Sequence, residues 1–478
     1  TARRPDRRGP THYGAGESMT RSLGFLAQAC EGRLVGADVP FGAVSIDSRT
    51  LAPGDLFVAL PGERTDGHRF AASAREAGAA GLLVARELDI DLPQVVVADT
   101  LVALASAAAA WRRQFSLPLA GVAGSNGKTT TKEMLASILS RMGPTLATQG
   151  NLNNHIGVPL TLFRLEAGHR AAVIEMGANR PGEVAFLTGL AQPTVGLVTN
   201  AGAEHLEGFG SLEGAARAEG ELFAGLDLHA TAIINADDEF APLWREMSQA
   251  GSAVSFGLSA SADFRALDPV SAIEDGEWVT RFTLSTPAGA TPIRLRLTGR
   301  HNVVNAAGAA AAAWACGADL LEIGLGLAAV APVRGRLQLR SSRVGAWIID
   351  DSYNANPSSA AAGLDVLAAA EGERWLVLGE MAELGEQSIA SHVEVGRVAR
   401  ERGVTRLFAT GPTTLHTVEA FGAGGRWFPD LDTLAAEVDA TLHAGVTLLI
   451  KGSRVNRLER LVEALCQPAL RVGNGTGG

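Results

Sequence analysis

A glycine-bounded loop restricts the fold of this chain more than any other segment. The apolar run at 119–123 predicts a buried strand, and the apolar spacing within 132–139 predicts one face of a helix. Between them lie the loop residues Gly124, Ser125, Asn126, Gly127, Lys128, Thr129 and Thr130. A strand, a glycine loop and a helix N-terminus in this order bind phosphate through backbone N–H groups. We therefore predict a nucleoside triphosphate site, with Lys128 on the β- and γ-phosphates and the Thr129 hydroxyl on Mg²⁺.

The match to the general phosphate-loop pattern is incomplete. Val122 occupies the position six residues before Lys128, where that pattern has its first glycine. The alternative interpretation is a plain glycine turn that joins a strand to a helix.

The composition describes a globular protein of several domains. The chain has 478 residues, 46% of them hydrophobic and 19% charged, which is long for a single core. Its net charge of −10 argues against general nucleic-acid binding. The three cysteines lie far apart, which favours a reducing compartment. No segment predicts a membrane span or a secretory signal, so we expect a cytoplasmic protein without nucleic-acid partner or membrane insertion.

Changes of pattern along the chain predict an α/β fold with three domains. A small α/β domain is expected at 19–100, a central domain with a mostly parallel sheet at 101–333, and a Rossmann-like α/β domain at 334–478. The last has no glycine fingerprint for a dinucleotide. Residues 1–18 are polar, glycine-rich and basic, and we interpret them as a disordered extension or a result of start-site choice before Met19.

Several polar residues follow predicted strands directly. Glu175 and His205 come just past apolar strands of the central domain, on the rim where Lys128 is expected. An acid and an imidazole beside a phosphate loop suit Mg²⁺ and phosphate positioning. Asp351 follows a strand of the third domain, and its predicted loop faces the same cleft as Lys451. A solvated acidic rim is the alternative for Asp351.

Two asparagine clusters and one polar loop leave their roles open. Asn151, Asn153 and Asn154 form either a ligand loop or a plain turn. Asn302 and Asn305 are three residues apart at a helix start, so they either face one ligand or cap the helix. The loop with Asp47, Ser48 and Arg49 lies beside a strand end and is either a ligand loop or ordinary surface.

Together these segments resemble the Mur ligase family, over about residues 20–465. The resemblance rests on GDLFVALPGERTDGHRF (54–70), GSNGKTTTKEM (124–134), GNLNNHIGVPLTLFR (150–164), EMGANRPGEV (175–184), HLEGFGS (205–211), HNVVNA (301–306), DDSYNANP (350–357), LGEMAELGEQS (378–388) and KGSR (451–454). It implies a UDP-sugar-binding first domain, an ATP-binding central domain and a monomer that uses ATP and Mg²⁺. The implied reaction joins D-alanyl-D-alanine to UDP-N-acetylmuramoyl-tripeptide through an acyl phosphate, in peptidoglycan precursor synthesis.

The resemblance also assigns roles to individual residues. Catalytic roles fall to Lys128, Glu175, His205 and Asp351. ATP contacts fall to residues 124–130 with Asn302, Asn305 and Arg336. Substrate contacts are expected from Asp47, Ser48, Arg49, Asn151, Asn153, Asn154, Asn354, Lys451, Ser453 and Arg454. The metal ligands implied are Thr129, Glu175 and His205, and we add Glu219 as a hypothesis.

Glu219 departs from the family pattern. It stands where the family usually has a lysine that CO₂ carbamylates. We hypothesise that its carboxylate supplies the negative charge directly or through a water, without CO₂. The alternative is a solvated helix residue and a second metal that is held less well.

Rival functions remain at this point. A sister ligase that adds a single amino acid and a folylpolyglutamate synthase share the phosphate loop. An ATP-binding regulatory protein with a decayed ligase site is the alternative from another class.

Overall fold

The fold consists of three α/β domains, each built on one sheet. The computed structural model describes residues 20–62, 65–202 and 206–466. The predicted extension at 1–18 and the predicted ligand His205 lie outside the described residues. One sheet falls in each predicted domain, whereas the exact domain boundaries stay predictions. Within the described ranges, no helix combines the length and the apolarity that crossing a membrane requires.

The first sheet is small and mostly parallel. Its elements are α1 (Leu23–Ala29), β1 (Arg33–Val35), β2 (Val44–Ser45), β3 (Leu56–Val58), a 3₁₀ turn (Gly67–Phe70), α2 (Ala71–Glu76), β4 (Gly81–Val84) and β5 (Gln94–Val96). The strand order is β1-β5-β4-β3-β2, and only β1 runs antiparallel to its neighbour. Every residue of β3 and β4 is buried, as expected for parallel strands covered on both faces.

The central sheet has nine strands. Its strands are β6 (Leu119–Ala123), β7 (Thr145–Ala147), β8 (Ala171–Glu175), β9 (Val195–Val198), β10 (Thr231–Asn235), β11 (Ser252–Gly257), β12 (Phe264–Glu274), β13 (Glu277–Thr286) and β14 (Gly289–Leu295). The order is β14-β13-β12-β11-β10-β9-β6-β8-β7, with antiparallel pairing only at β12-β13-β14. The mostly parallel sheet is therefore confirmed, and the antiparallel end is an addition that the sequence analysis did not predict.

Helices cover both faces of this central sheet. They are α3 (Thr100–Arg112), α4 (Lys128–Leu139), α5 (Gly157–Leu162), α6 (Glu183–Ala191), α7 (Leu206–Phe209), α8 (Leu212–Ala224), α9 (Ala241–Met247), α10 (Arg300–Ala315) and α11 (Leu320–Ala328). Helix α4 begins at Lys128, four residues before the apolar pattern at 132–139, because the loop already ends at Gly127 (φ +85°).

The third sheet confirms the Rossmann-like prediction. Its elements are β15 (Gln338–Ser341), β16 (Trp347–Asp351), α12 (Pro357–Ala368), β17 (Glu373–Gly379), a 3₁₀ turn (Gly385–Gln387), α13 (Ser388–Glu401), β18 (Arg406–Thr410), α14 (Thr414–Phe421), β19 (Gly425–Phe428), α15 (Leu431–Thr441), β20 (Val446–Lys451), a 3₁₀ turn (Arg454–Asn456) and α16 (Glu459–Cys466). The order is β15-β16-β20-β17-β18-β19, and only β15 is antiparallel.

Sheet order brings the predicted site residues together. Strands β9, β6 and β8 are neighbours, so their carboxyl ends place Glu175 beside the phosphate loop. In the third sheet β16 and β20 are paired, with Asp351 opposite Lys451. Both sets lie at carboxyl ends of parallel strands, where ligands of open α/β sheets bind.

Candidate active site

A cavity of about 800 Å³ lies between the central and third domains. One wall comes from the phosphate loop and the other from the ends of β16 and β20. Its lining contains the predicted site residues Ser125, Asn126, Gly127, Lys128, Thr129, Thr130, Asn151, Asn153, Asn154, Glu175, Asn302, Asn305, Arg336, Asp351, Asn354, Lys451, Ser453 and Arg454. The fold thus gathers most of the predicted site in one place.

The phosphate loop needs its glycines for both conformation and space. Gly124 and Gly127 have φ of +121° and +85°, a region that disfavours residues with a side chain. A Cβ on Gly127 would lie 2.7 Å from the Asn305 amide. Lys128 Nζ donates to the carbonyl oxygens of Gly124 (2.5 Å) and Ser125 (3.0 Å). The first N–H groups of α4 have no intrahelical acceptor and line the cavity, so this end suits an anion.

Glu175 offers a carboxylate oxygen that makes no hydrogen bond. The residue is 2% exposed, and its Oε1 accepts from Thr129 Oγ1 (3.2 Å) and Asn153 Nδ2 (2.8 Å). Its Oε2 is buried without a hydrogen-bond partner and lies 3.5 Å from Lys132 Nζ. A buried oxygen left in this way is costly unless a ligand satisfies it. Together with the Thr129 hydroxyl it forms a set of hard oxygen donors that fits Mg²⁺.

Lys132 lies behind the cavity lining beside Glu175, and the sequence analysis missed this contact. Its side chain is fully buried, and Nζ also lies 3.2 Å from Glu133 Oε1 and 3.4 Å from the Gly150 carbonyl oxygen. It follows Lys128 by four residues, so both lie on one face of α4. That spacing was the signal that could have identified it.

Glu219 is a buried residue, so its interpretation as a solvated helix residue is wrong. It lies on α8 and is 1% exposed. Its Oε2 accepts a hydrogen bond of 2.6 Å from the Gly124 N–H. The carboxylate therefore holds the first residue of the phosphate loop from behind the cavity.

The asparagines make structural hydrogen bonds, and the capping alternative for Asn302 and Asn305 is wrong, because Gly299 is the N-cap of α10 and no side chain caps that helix end. Asn154 Oδ1 accepts from the N–H groups of Ile156 (3.1 Å) and Gly157 (2.9 Å), which holds the turn that leads into α5. Asn302 Nδ2 donates to the Thr298 carbonyl oxygen (2.7 Å), while Asn305 Nδ2 donates to Asn302 Oδ1 (3.4 Å). Asn302 and Asn305 are nearly buried and still line the cavity, so they combine structural bonds with contact to a ligand space.

The third-domain wall is built around an ion pair. Lys451 Nζ lies 2.5 Å from Asp351 Oδ2 and donates to the Asn354 carbonyl oxygen at 3.0 Å. Asp351 Oδ1 also accepts from the Leu337 N–H (3.2 Å), which ties the wall to the segment that enters the third domain. Ser453 Oγ donates to the Ala355 carbonyl oxygen at 3.2 Å.

Two cations of this wall share one aromatic ring. The guanidinium carbons of Arg336 and Arg454 lie 4.6 Å and 5.8 Å from the centre of the Tyr353 ring. Arg336 and Arg454 also line the cavity. The wall therefore offers positive charge to an anionic ligand.

The first-domain residues do not join the cavity. Asp47 and Arg49 form an ion pair of 2.6 Å on the loop that follows β2. Hydrogen bonds from the Arg49 side chain and N–H hold the pKa of Asp47 at about 2. Asp47, Ser48 and Arg49 are absent from the cavity lining, so any ligand that they hold must extend beyond it.

The direct contacts between the two walls were also missed. Asn126 Oδ1 accepts from Asn356 Nδ2 (2.8 Å), and Asn126 Nδ2 donates to Ser358 Oγ (3.1 Å). Asn356 lies within the segment DDSYNANP (350–357) on which the family resemblance rests, and Ser358 follows it directly. The motif was visible, but no pattern in the sequence names its partner on the other wall.

Family models match along most of the chain. The model of the Mur ligase family, catalytic domain, matches residues 40–138, and that of the Mur ligase middle domain matches 122–313. The model of the Mur ligase, glutamate ligase domain, matches 335–454.

Relatives and solved structures agree with these matches. UDP-N-acetylmuramoyl-tripeptide--D-alanyl-D-alanine ligase of Escherichia coli (strain K12) is 44% identical, over 93% of this chain and 98% of that protein. The Haemophilus influenzae protein of the same name is 38% identical, over 92% and 97%. MurF from Acinetobacter baumannii superposes with a TM-score of 0.87 at 35% identity, covering 94% of this chain and 99% of that one. MurF ligase from Thermotoga maritima, in complex with ADP, gives 0.76 at 28% identity, over 88% and 96%.

Proposed function

Because the chain belongs to the Mur ligase family, we propose that it is an ATP-dependent ligase of the kind that its relatives are named for. It joins D-alanyl-D-alanine to UDP-N-acetylmuramoyl-tripeptide and yields UDP-N-acetylmuramoyl-pentapeptide, ADP and phosphate. One observation carries the proposal beyond the likeness. A phosphate loop and a cationic wall face each other across one cavity, as joining two substrates at the expense of ATP requires.

The first step is phosphoryl transfer to the tripeptide. A terminal carboxylate oxygen attacks the γ-phosphorus, the bond from that phosphorus to the β,γ-bridging oxygen breaks, and ADP leaves. Such a step needs in-line positioning and charge neutralisation more than a covalent protein nucleophile. The N–H groups at the start of α4 and the Lys128 ammonium supply that neutralisation. Asn302, Asn305 and Arg336 contact the nucleotide in this proposal.

Mg²⁺ fits the oxygen donors beside the loop. The Thr129 hydroxyl and the Glu175 carboxylate would hold it, with His205 as a further ligand from the sequence prediction. When bound, the ion neutralises charge on phosphate oxygens. Burial keeps the Glu175 carboxylate in place before any ligand arrives.

Glu219 supplies a fixed negative charge beside the loop. Its hydrogen bond to the Gly124 N–H supports this position behind the cavity. Because Glu219 does not line the cavity, the proposed action on a metal runs through the loop or a water rather than by direct contact. We expect Glu219→Gln to weaken Mg²⁺ binding and turnover, and turnover of the unchanged enzyme to be indifferent to CO₂. Full activity and unchanged Mg²⁺ affinity in Glu219→Gln would contradict this role.

The second step is acyl transfer to the dipeptide. The amine of D-alanyl-D-alanine attacks the acyl-phosphate carbonyl carbon, the carbon–oxygen bond to phosphate breaks, and the amine loses a proton. Asp351 orients Lys451 through their 2.5 Å contact on the third-domain wall. Substrate contacts come from Asn151, Asn153, Asn154, Asn354, Lys451, Ser453 and Arg454. Asp47, Ser48 and Arg49 help to seat the UDP-sugar, whose length carries it out of the cavity.

Further features belong to the same proposal. The domains span 19–100, 101–333 and 334–478, which agrees with one sheet in each. The enzyme works as a monomer in the cytoplasm, where its nucleotide-linked substrate and ATP are available.

Phosphate release tests the proposed function. The full chain is given ATP, Mg²⁺ and UDP-N-acetylmuramoyl-tripeptide, with and without D-alanyl-D-alanine, in normal and CO₂-depleted buffer. We expect release that depends on both substrates, and a pentapeptide product in mass spectra. Release with a single amino acid in place of the dipeptide would assign the chain to a sister ligase. If no acceptor led to phosphate release, the proposed ligase function would be contradicted.

A further inference from the structure

The start of α12 is built directly against the phosphate loop. Asn126 in the loop, together with Asn356 and Ser358 of the third domain, forms a group that we name the docking cluster. Asn356 Nδ2 donates to Asn126 Oδ1 at 2.8 Å, and Asn126 Nδ2 donates to Ser358 Oγ at 3.1 Å. Asn356 is 5% exposed, which partly shields its bond to Asn126, whereas Ser358 is exposed and its bond to Asn126 is open to solvent. Both polar atoms of the Asn126 side chain are therefore bonded to the other domain.

The central domain fixes the backbone of the same loop residue. The Asn126 N–H donates to Asn200 Oδ1 at 3.1 Å. Its carbonyl oxygen accepts from Thr199 Oγ1 (2.7 Å) and Asn200 Nδ2 (2.8 Å). Asn126 thus has its backbone held by one domain and its side chain by the other. Any shift of α12 acts on the loop at a residue that has little freedom to absorb it.

Asn356 is itself held in place by its role as the N-cap of α12. Its Oδ1 accepts from the Ser359 N–H (2.8 Å) and from Ser358 Oγ (3.1 Å), while its own N–H donates to Ser359 Oγ (3.0 Å). The cap occupies the carbonyl oxygen of the side chain and directs the Nδ2 group at Asn126. The donor is therefore pre-organised by the helix end.

We propose that Asn356 and Ser358 are positioning residues that set the phosphate loop through Asn126. ATP then binds with full affinity only while the third domain is docked. By linkage, bound ATP favours docking to the same extent that docking favours ATP. The inference rests on the proposed function only in taking ATP as the ligand of the loop.

Asn356→Ser separates positioning from capping. Serine caps a helix about as well as asparagine, but it lacks the amide donor that reaches Asn126. Asp430→Ser is the matched control, since Asp430 caps α15 in the same domain through the Thr433 N–H (2.8 Å) and does not line the cavity. The dissociation constant of ATP with Mg²⁺ is measured by calorimetry on each full chain, together with its Tm.

We expect Asn356→Ser to weaken ATP binding about fivefold, the worth of one ordinary hydrogen bond. Asp430→Ser should leave ATP binding unchanged, and the two variants should have similar Tm values. Ser358→Ala should weaken ATP binding less than Asn356→Ser. Equal ATP affinity in Asn356→Ser and Asp430→Ser would overturn the proposal.

A double-mutant cycle with Asn126→Ala tests the route of the effect. If Asn356 acts through Asn126, the double variant binds ATP no more weakly than Asn126→Ala alone. If the two substitutions weakened ATP binding by independent factors that multiply in the double variant, Asn356 would not act through Asn126. ATP binding is measured here without either ligase substrate, so the positioning role can fail while the unchanged enzyme still makes the pentapeptide. Equally, a chain without ligase activity would leave this binding test valid.

Discussion

The central domain meets its two neighbours in different ways. Towards the first domain the contact is apolar and continuous, with one core cluster running from Leu23 and Leu26 to Trp111 and beyond. Phe25 packs edge-on against Trp111 with ring centroids 5.7 Å apart, and Phe41 does the same against Phe163 at 6.5 Å. Burial of this kind is the largest stabilising term in a fold, so these two domains should behave as one body.

Towards the third domain the contact is mainly polar. Among the described residues it includes the docking cluster, the approach of α7 to the 3₁₀ turn at Gly385–Gln387, and Trp278 of β13 packed on the edge of the third-domain core. Hydrogen bonds between domains exchange readily with water, so such a contact opens at low cost. The ATP side of the cavity therefore belongs to one continuous apolar body, whereas its facing wall is attached mainly by polar contacts that can form and break. Closure would protect a water-sensitive acyl phosphate.

The largest expected effect is loss of stability at the apolar contact. Trp111 is 3% exposed, and its indole N–H donates to the Leu165 carbonyl oxygen (3.1 Å). Trp111→Ala should lower the free energy of unfolding by about 3–5 kcal/mol, measured by urea denaturation. Trp427→Ala, a change at a 39% exposed tryptophan of the third domain, is the control and should cost far less. Equal losses of unfolding free energy in the two variants would contradict the stabilising role of the contact between the first and central domains.

Loss of the proposed metal ligand Glu175 has the next largest expected effect. Glu175→Gln keeps the shape but removes the charge of the buried carboxylate that accepts from Asn153. We expect Mg²⁺ affinity to fall at least about 10-fold, the lower end for changes around metal ligands. Calorimetric Mg²⁺ titration with ATP present measures it. Unchanged Mg²⁺ affinity would remove Glu175 from the ligand set, whereas chelation of Mg²⁺ should stop turnover of the unchanged enzyme.

Trp278 tests how much the contact with the third domain contributes to stability. Its ring is half-buried, and its indole N–H is buried without a hydrogen-bond partner. Trp278→Ala should cost about 1–2 kcal/mol, since half of a large side chain is involved. Trp278→Phe should cost less, because it removes the unpaired donor and keeps the packing. A loss as large as that of Trp111→Ala would show that the third-domain contact is also an apolar core.

The smallest effect on stability is expected at Asp47 and Arg49. Their ion pair is solvent-exposed, so Arg49→Ala should leave the free energy of unfolding nearly unchanged. The KM for the UDP-linked substrate should nevertheless rise, as steady-state kinetics would show.

The pH dependence of this pair follows from the same geometry. The pKa of Asp47 is lowered to about 2, below its unfolded value. The stability that the pair contributes is therefore fully present above the unfolded pKa and is lost as the pH falls through about 2. Substrate KM between pH 6 and 9 should therefore show no titration of Asp47. If the pH profile of KM for Asp47→Asn differed in shape from that of the unchanged enzyme over this range, Asp47 would titrate there and this expectation would be wrong.

Much of the fold follows from the sequence because its signals are local. Apolar runs such as 119–123 and 171–175 predict buried parallel strands, and the glycines around Lys128 predict the loop. The antiparallel strands β12 to β14 were not predicted. Strand β12 is exposed along most of its length and gives little apolar signal, whereas the alternating burial of β13 reflects a pattern that could have identified that strand. The site was predicted in outline for the same reason: residues at strand ends converge in any open α/β sheet.

Contacts between distant elements could not be predicted. Glu219 is separated from Gly124 by 95 residues, and nothing in the pattern of α8 names that partner. Asn126 and Asn356 belong to different domains, so their bond depends on how two folded bodies dock. Lys132 is different: it was missed, although its spacing of four residues from Lys128 places both lysines on one face of α4 and could have identified it.

The most direct test of the account follows the oxygen atoms of the tripeptide. UDP-N-acetylmuramoyl-tripeptide labelled with ¹⁸O in its terminal carboxylate is turned over with ATP, Mg²⁺ and D-alanyl-D-alanine, and the released phosphate is analysed by mass spectrometry. We expect one ¹⁸O atom in each phosphate, since the carboxylate oxygen attacks the γ-phosphorus and leaves with it. Unlabelled phosphate, formed when water takes the phosphoryl group, would contradict a ligase that works through an acyl phosphate.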